Sequence, residues 1–87
     1  MSEQELRARL ARGELSPDEA LPLVESSLAH GATKDLLVLK STLIQLSDAP
    51  GYTLEGAAEC LHQAAALAPV DPEPHEELGH FYDAVMD

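Results

Sequence analysis

The chain has 87 residues, of which 45% are apolar: enough for one small domain, and too apolar for global disorder. Its formal charge is −11, from 16 acidic and 5 basic residues, which disfavours nucleic acid because phosphates are bound by Lys and Arg. The single cysteine, Cys60, excludes an internal disulfide, and no run reads as a signal peptide or a membrane span, so a cytoplasmic protein is expected.

Tyr52, Phe81 and Tyr82 are the only aromatic residues, so the core falls to Leu, Val, Ile and Ala, a mixture that favours helices. The first helix is expected over Glu3 to Arg12, with Leu6 and Leu10 one turn apart and Gly13 as its stop. Next comes LSPDEA. Ser16 caps, Pro17 enters the first turn, and Glu19 completes a capping box. This second helix runs to His30 and ends at Gly31, with Leu21, Val24 and Leu28 as its apolar stripe. Pro22 removes one donor near its start and predicts a slight bend or a start displaced by a turn.

The third helix, capped by Thr33, is the most apolar. Leu36, Leu39, Leu43 and Leu46 form a stripe that Leu37, Val38 and Ile44 widen, which predicts a central helix covered on more than one side. Ala-Pro-Gly marks a turn, with Ser47 or Asp48 ending the helix. Thr53 caps a fourth helix over Leu54 to Ala68, lined by Leu54, Ala57, Leu61, Ala64 or Ala65, and Leu67 or Ala68, and Pro69 stops it. Asp71 caps a fifth helix over Pro72 to Val85, carrying Leu78, Phe81, Tyr82 and Val85. The expected architecture is therefore all-α: five short antiparallel helices in a single domain over residues 1–87. Within it, residues 1–31 hold two helices, 33–68 a helical hairpin, and 70–87 a final helix.

Several polar groups invite a catalytic or metal reading. HEELGH places His75 and His80 five apart, about 140 degrees around a helix, so the two rings diverge and a zinc-protease pair is excluded. A looser set of ligands combines Glu76, His80 and Asp83 with His62 and Cys60, but those three also read as a solvated helix face. Cys60 and His62, two apart, face different ways, and Cys60 amid Ala57, Ala58 and Leu61 reads as a small core residue. Glu76 and Glu77 are adjacent and diverge, and no glycine-rich phosphate loop is present. No catalytic residue, metal site or cofactor is assigned, and the protein is expected not to be an enzyme.

The fourth and fifth helices resemble the tetratricopeptide repeat family. Ala57, Leu61 and Ala64, followed by Pro69, match the small–large–small pattern of a repeat's second helix. Leu78, Gly79 and Tyr82 then match the Leu-Gly and Tyr of the next repeat's first helix. His75 stands where that pattern has a large aromatic residue. The resemblance covers residues 57–82 and implies stacked helical hairpins. Ala57, Leu61, Ala64, Leu78, Gly79, Phe81 and Tyr82 would be packing residues, with Gly79 at a close helix crossing. It leaves the fifth helix lacking its mate.

The resemblance also implies protein–protein interaction. The family's clamp for a carboxylate-ended peptide uses Lys, Arg and Asn, but this chain has no Asn and no base after Lys40. From Ser41 onward there are nine acidic residues. Asp71, Glu73, Glu76, Glu77, His80, Asp83 and Asp87 are therefore the candidate partner-binding residues, suited to a basic protein or peptide. One alternative is a small acidic inhibitor, an immunity protein or antitoxin, of a basic toxic enzyme. Another is a structural subunit that self-associates through its last helix.

Overall fold

Five side-chain oxygens set where the helices begin. The computed structural model describes residues 2–47 and 51–85, the last two as backbone only. Ser2 Oγ accepts from Glu5 N (3.2 Å) ahead of α1, Glu3–Ala11. Ser16 and Glu19 exchange bonds in both directions, each 3.2 Å, at the start of α2, Pro17–His30. Thr33 Oγ1 accepts from Leu36 N (3.1 Å) to open α3, Lys34–Leu46. Thr53 Oγ1 accepts from Gly56 N (3.1 Å) to open α4, Leu54–Leu67. Asp71 Oδ1 accepts from Glu73 N (2.9 Å) at the head of α5, Pro72–Val85. Each of these oxygens satisfies a first-turn amide that has no partner inside its helix.

The helix ends follow equally local chemistry. Glu14 N bonds Arg9 O (2.9 Å) and Gly13 N bonds Leu10 O (3.1 Å), a Schellman closure that needs a left-handed residue. Gly13, with φ of +74°, supplies it. Gly31 ends α2 in an extended conformation, its amide on Leu28 O at 3.2 Å. The expected effect of Pro22 is corrected on one point: α2 starts at Pro17, not a turn later, and stays helical through Pro22. Pro22 and Asp18, whose carbonyl loses its helical donor, are both exposed, so water can take the unmet bond.

The core centres on α3. Leu36, Leu37, Val38 and Leu39 are buried in succession, and Leu43 and Ile44 follow, so the helix is covered around most of its circumference. α2 packs on one side and α4, most extensively, on another; α5 touches α3 and packs on α4, while α1 packs on α2. Among the described residues Ser41 is the one buried polar side chain, and Gln45 Nε2 reaches its Oγ at 3.3 Å. Leu6 from α1, Ala20, Leu21 and Val24 from α2, and Ala57, Cys60, Leu61 and Ala64 from α4 complete the packing. The radius of gyration, 12.4 Å, is close to the roughly 12 Å of a folded chain this long, so the helices do not string out into an elongated array.

Two stripe assignments are corrected, and the choice between Leu67 and Ala68 is settled. Leu46, at the last turn of α3, is 66% exposed because the helix runs past its neighbours there. Leu54, at the first residue of α4, is 48% exposed for the same reason at the other end. Leu67 is 54% exposed although it lies seven residues, about 20 degrees, from the buried Cys60; it is the last residue of α4. Ala68 just after it is half-buried. In α5 the buried stripe is Pro74, Leu78 and Phe81.

The expectation for Gly79 is overturned. It is exposed, and a Cβ placed there meets nothing within 4 Å. It sits one residue, about 100 degrees, around the helix from the buried Leu78, which turns it off the packed stripe. Tyr82 is corrected too: it is 40% exposed, its ring against the edge of Phe81 at 5.5 Å, rather than filling an interior gap.

Two substitutions separate these environments. Gly79→Ala is expected to stabilise the fold by about 0.5–1 kcal/mol in urea denaturation, since it removes backbone freedom and meets no obstacle. Leu61→Ala, at 1% exposure, is expected to cost about 2–5 kcal/mol in the same measurement. Destabilisation by Gly79→Ala would restore the close crossing.

Candidate protein interface

The seven acidic and histidine residues assigned to a partner do not form one free surface. Asp71 and Glu73 turn inward to a cation. Lys34 Nζ, from the first turn of α3, lies 2.9 Å from Asp71 Oδ2, 3.7 Å from Glu73 Oε1 and 2.8 Å from its neighbour Asp35 Oδ1. A lysine in a helix's first turn opposes the helix dipole, and three carboxylates offset it. The cluster ties the head of α3 to the turn that starts α5. It holds the Lys34 ammonium above its ordinary pKa, chiefly through Asp35 and then Asp71. Asp71 is held below the usual carboxylate range, first by the Glu73 amide and then by Lys34.

Glu76, His80 and Asp83 are exposed on the outer face of α5 and Glu77 is half-buried on its flank. Asp87, Asp48, Ala49 and Pro50 lie outside the described residues, and Val85 is described as backbone only. Among the described residues no three of His, Cys, Asp and Glu come together as a metal would require. His62 Nε2 instead shares a hydrogen bond with Tyr82 Oη at 3.2 Å, linking α4 to α5.

That bond crosses a groove the sequence reading missed. Leu54, Ala58 and His62 of α4 face Phe81 and Tyr82 of α5 around a volume of about 440 Å³ whose walls are mostly carbon. Glu55 and Glu59 border it. Its signal was present: Leu54, Ala58 and His62 recur every four residues along one side of α4, next to the buried stripe. Gly79, open to solvent one turn before Tyr82, adds no bulk to that flank of α5. The groove thus has an apolar floor and an anionic border, with no cation after Lys40 in the chain.

No protein-family model matches the chain, and neither a curated protein nor a solved structure matches it. The fold is all-α, with five helices, and no helix among the described residues is long and apolar enough to cross a membrane.

The Lys34 cluster makes a signed prediction. The part of stability carried by Asp71 is present above about pH 4 and lost as pH falls through its depressed pKa. The part carried by Lys34 is whole below about pH 10.4 and lost as pH rises through its elevated pKa. Lys34→Met is expected to lower the urea midpoint most between about pH 5 and 9, with the gap to the parent closing toward about pH 2. Equal midpoints at neutral pH and low salt would show the cluster to be inert.

Proposed function

We propose that the protein is a non-enzymatic interaction module whose α4–α5 groove takes a basic, amphipathic helical segment of another protein. The observation that carries this reading is the apolar floor of Leu54, Ala58, Phe81 and Tyr82 bordered by Glu55 and Glu59. An amphipathic helix laid in such a groove buries its apolar face while its cations meet the border. A second copy is a poorer occupant, because two chains of charge −11 repel. Glu76, His80 and Asp83, exposed on the outer face of α5, extend the negative field that steers a basic partner toward the groove.

Each helix packs on its sequence neighbour, and α3 also meets α5, an order that supports stacked helical hairpins similar to tetratricopeptide repeats. The open flank at Gly79 weighs against a strict repeat, since nothing crosses α5 there.

The reading is tested with a labelled peptide of Leu and Lys patterned at helical spacing, and a scrambled peptide of the same composition. Fluorescence anisotropy should show the patterned peptide binding and the affinity falling with salt. Leu54→Ser should weaken binding about tenfold at every salt concentration, roughly 1.4 kcal/mol. Glu55→Gln should flatten the salt dependence. Equal binding of the scrambled peptide, or amide chemical shifts that move elsewhere than in α4 and α5, would overturn it.

A further inference from the structure

Four of the five basic side chains are neutralised in place. Arg7 pairs with Glu3 at 3.0 Å, Arg9 with Glu5 at 3.2 Å, Arg12 with Glu14, and Lys34 with the cluster at the head of α5. Lys40 is the exception: half-buried, it has no carboxylate within ion-pair distance among the described residues.

Lys40 lies in a cleft of about 560 Å³ on a neighbouring face of α4, next to the apolar groove. α2 and α4 both pack on α3, and residues of all three line the cleft. Lys40 and Ile44 of α3 line it together with Cys60, the carboxylates of Glu25 and Glu59 stand on its α2 and α4 sides, and Gln63 and Thr53 add polar atoms. Tyr52 closes one end. Its hydroxyl donates to the Glu25 carboxylate, which holds the phenol above its ordinary pKa. Burial pushes the Cys60 thiol up; Lys40 opposes that shift through space and Glu59 and Glu25 add to it. Glu25 already has the Tyr52 hydroxyl, while Glu59 has only a long 3.5 Å contact from Gln63 and remains exposed.

A simple anion in this cleft would gain Lys40 but face two carboxylates. A simple cation would gain the carboxylates but face Lys40. A small molecule carrying both charges on adjoining atoms satisfies all of them, and the cleft's volume is in the range that encloses small ligands. We infer that this cleft binds a free α-amino acid, its carboxylate on the Lys40 ammonium and its ammonium on Glu59, beside the Tyr52–Glu25 pair. The short polar wall made by Thr53 and Gln63 favours a small or amide-bearing side chain over a bulky apolar one. This binding shares only Glu59 with the peptide groove and does not rest on the reading of that groove.

The test uses the full chain, isotope-labelled, at low salt, with glycine, L-alanine and L-glutamine as probes and acetate and methylammonium as separated halves. Amide shifts are expected at Lys40, Gly51–Thr53 and Glu59–Gln63, saturating with at least one amino acid and at least tenfold weaker with either half. Bound amino acid should also slow alkylation of Cys60. Lys40→Met should abolish both effects while leaving the helical circular dichroism unchanged; if that variant unfolds, Lys40→Gln serves the same purpose. No saturable shifts with any of the three amino acids, or equal shifts with acetate alone, would overturn the assignment.

Discussion

A helix apolar on nearly every side cannot stand at a surface, and α3 is such a helix. Four consecutive residues, Leu36 to Leu39, are buried, which a single neighbouring helix cannot achieve because it covers one stripe only. Three helices must therefore touch it, and short loops allow only α2 and α4 to do so along their length. α5 reaches it secondarily, through its packing on α4. The alanines of α4 follow from the same constraint: Ala57 and Ala64 are fully buried, and their small size lets the two axes come close enough to enclose Leu61. With so few aromatic side chains to fill gaps, close approach replaces bulk as the source of dispersion contacts.

The charge excess is managed at short range. In α1 each Arg has a Glu four residues before it or close after it, so the three cations do little to balance the acidic half. Arg7 also donates to the Asp35 carbonyl at 3.2 Å, one of the few polar links from α1 to α3. Lys34 is the cation whose ion pairs reach across the fold, and it draws two carboxylates of the acidic half into structural work. The negative field of residues after Ser41 is consequently weaker at the head of α5 than composition suggests, and stands more on Glu55, Glu59, Glu76 and Asp83.

Most of the helical layout was legible because the signals that start and stop helices are local. Ser16, Thr33, Thr53 and Asp71 each act within three residues of themselves, and Gly13 and Pro69 end helices by backbone geometry alone. What was not legible depended on how far a partner helix extends. Leu46 and Leu54 satisfy the apolar period yet lie beyond their neighbours' reach. Gly79 fitted a pattern in which glycine marks a crossing, but periodicity cannot say whether a second helix arrives. The Lys34–Asp71 pair was hidden because it joins residues far apart in sequence, and Lys40 because an absent ion pair leaves no trace in composition. Of the acidic residues assigned to a partner, the sequence could report charge but not which carboxylates fold back on the chain.

α4 is the element on which both proposed surfaces meet. Ala58 and His62 face the apolar groove, Cys60 and Gln63 face the polar cleft, and Glu59 borders both. On the proposed readings one carboxylate is wanted twice: by a peptide cation at the edge of the groove and by an amino-acid ammonium in the cleft. Linkage then makes each occupant weaken the other by the same factor, because either one uses the charge that the other needs. The coupling is bounded by what one exposed carboxylate is worth to a cation, on the order of 1 kcal/mol or less, and it shrinks with salt. Such a value biases a binding equilibrium without switching it. The architecture therefore allows modulation through Glu59 and requires no movement of the helices that hold α3.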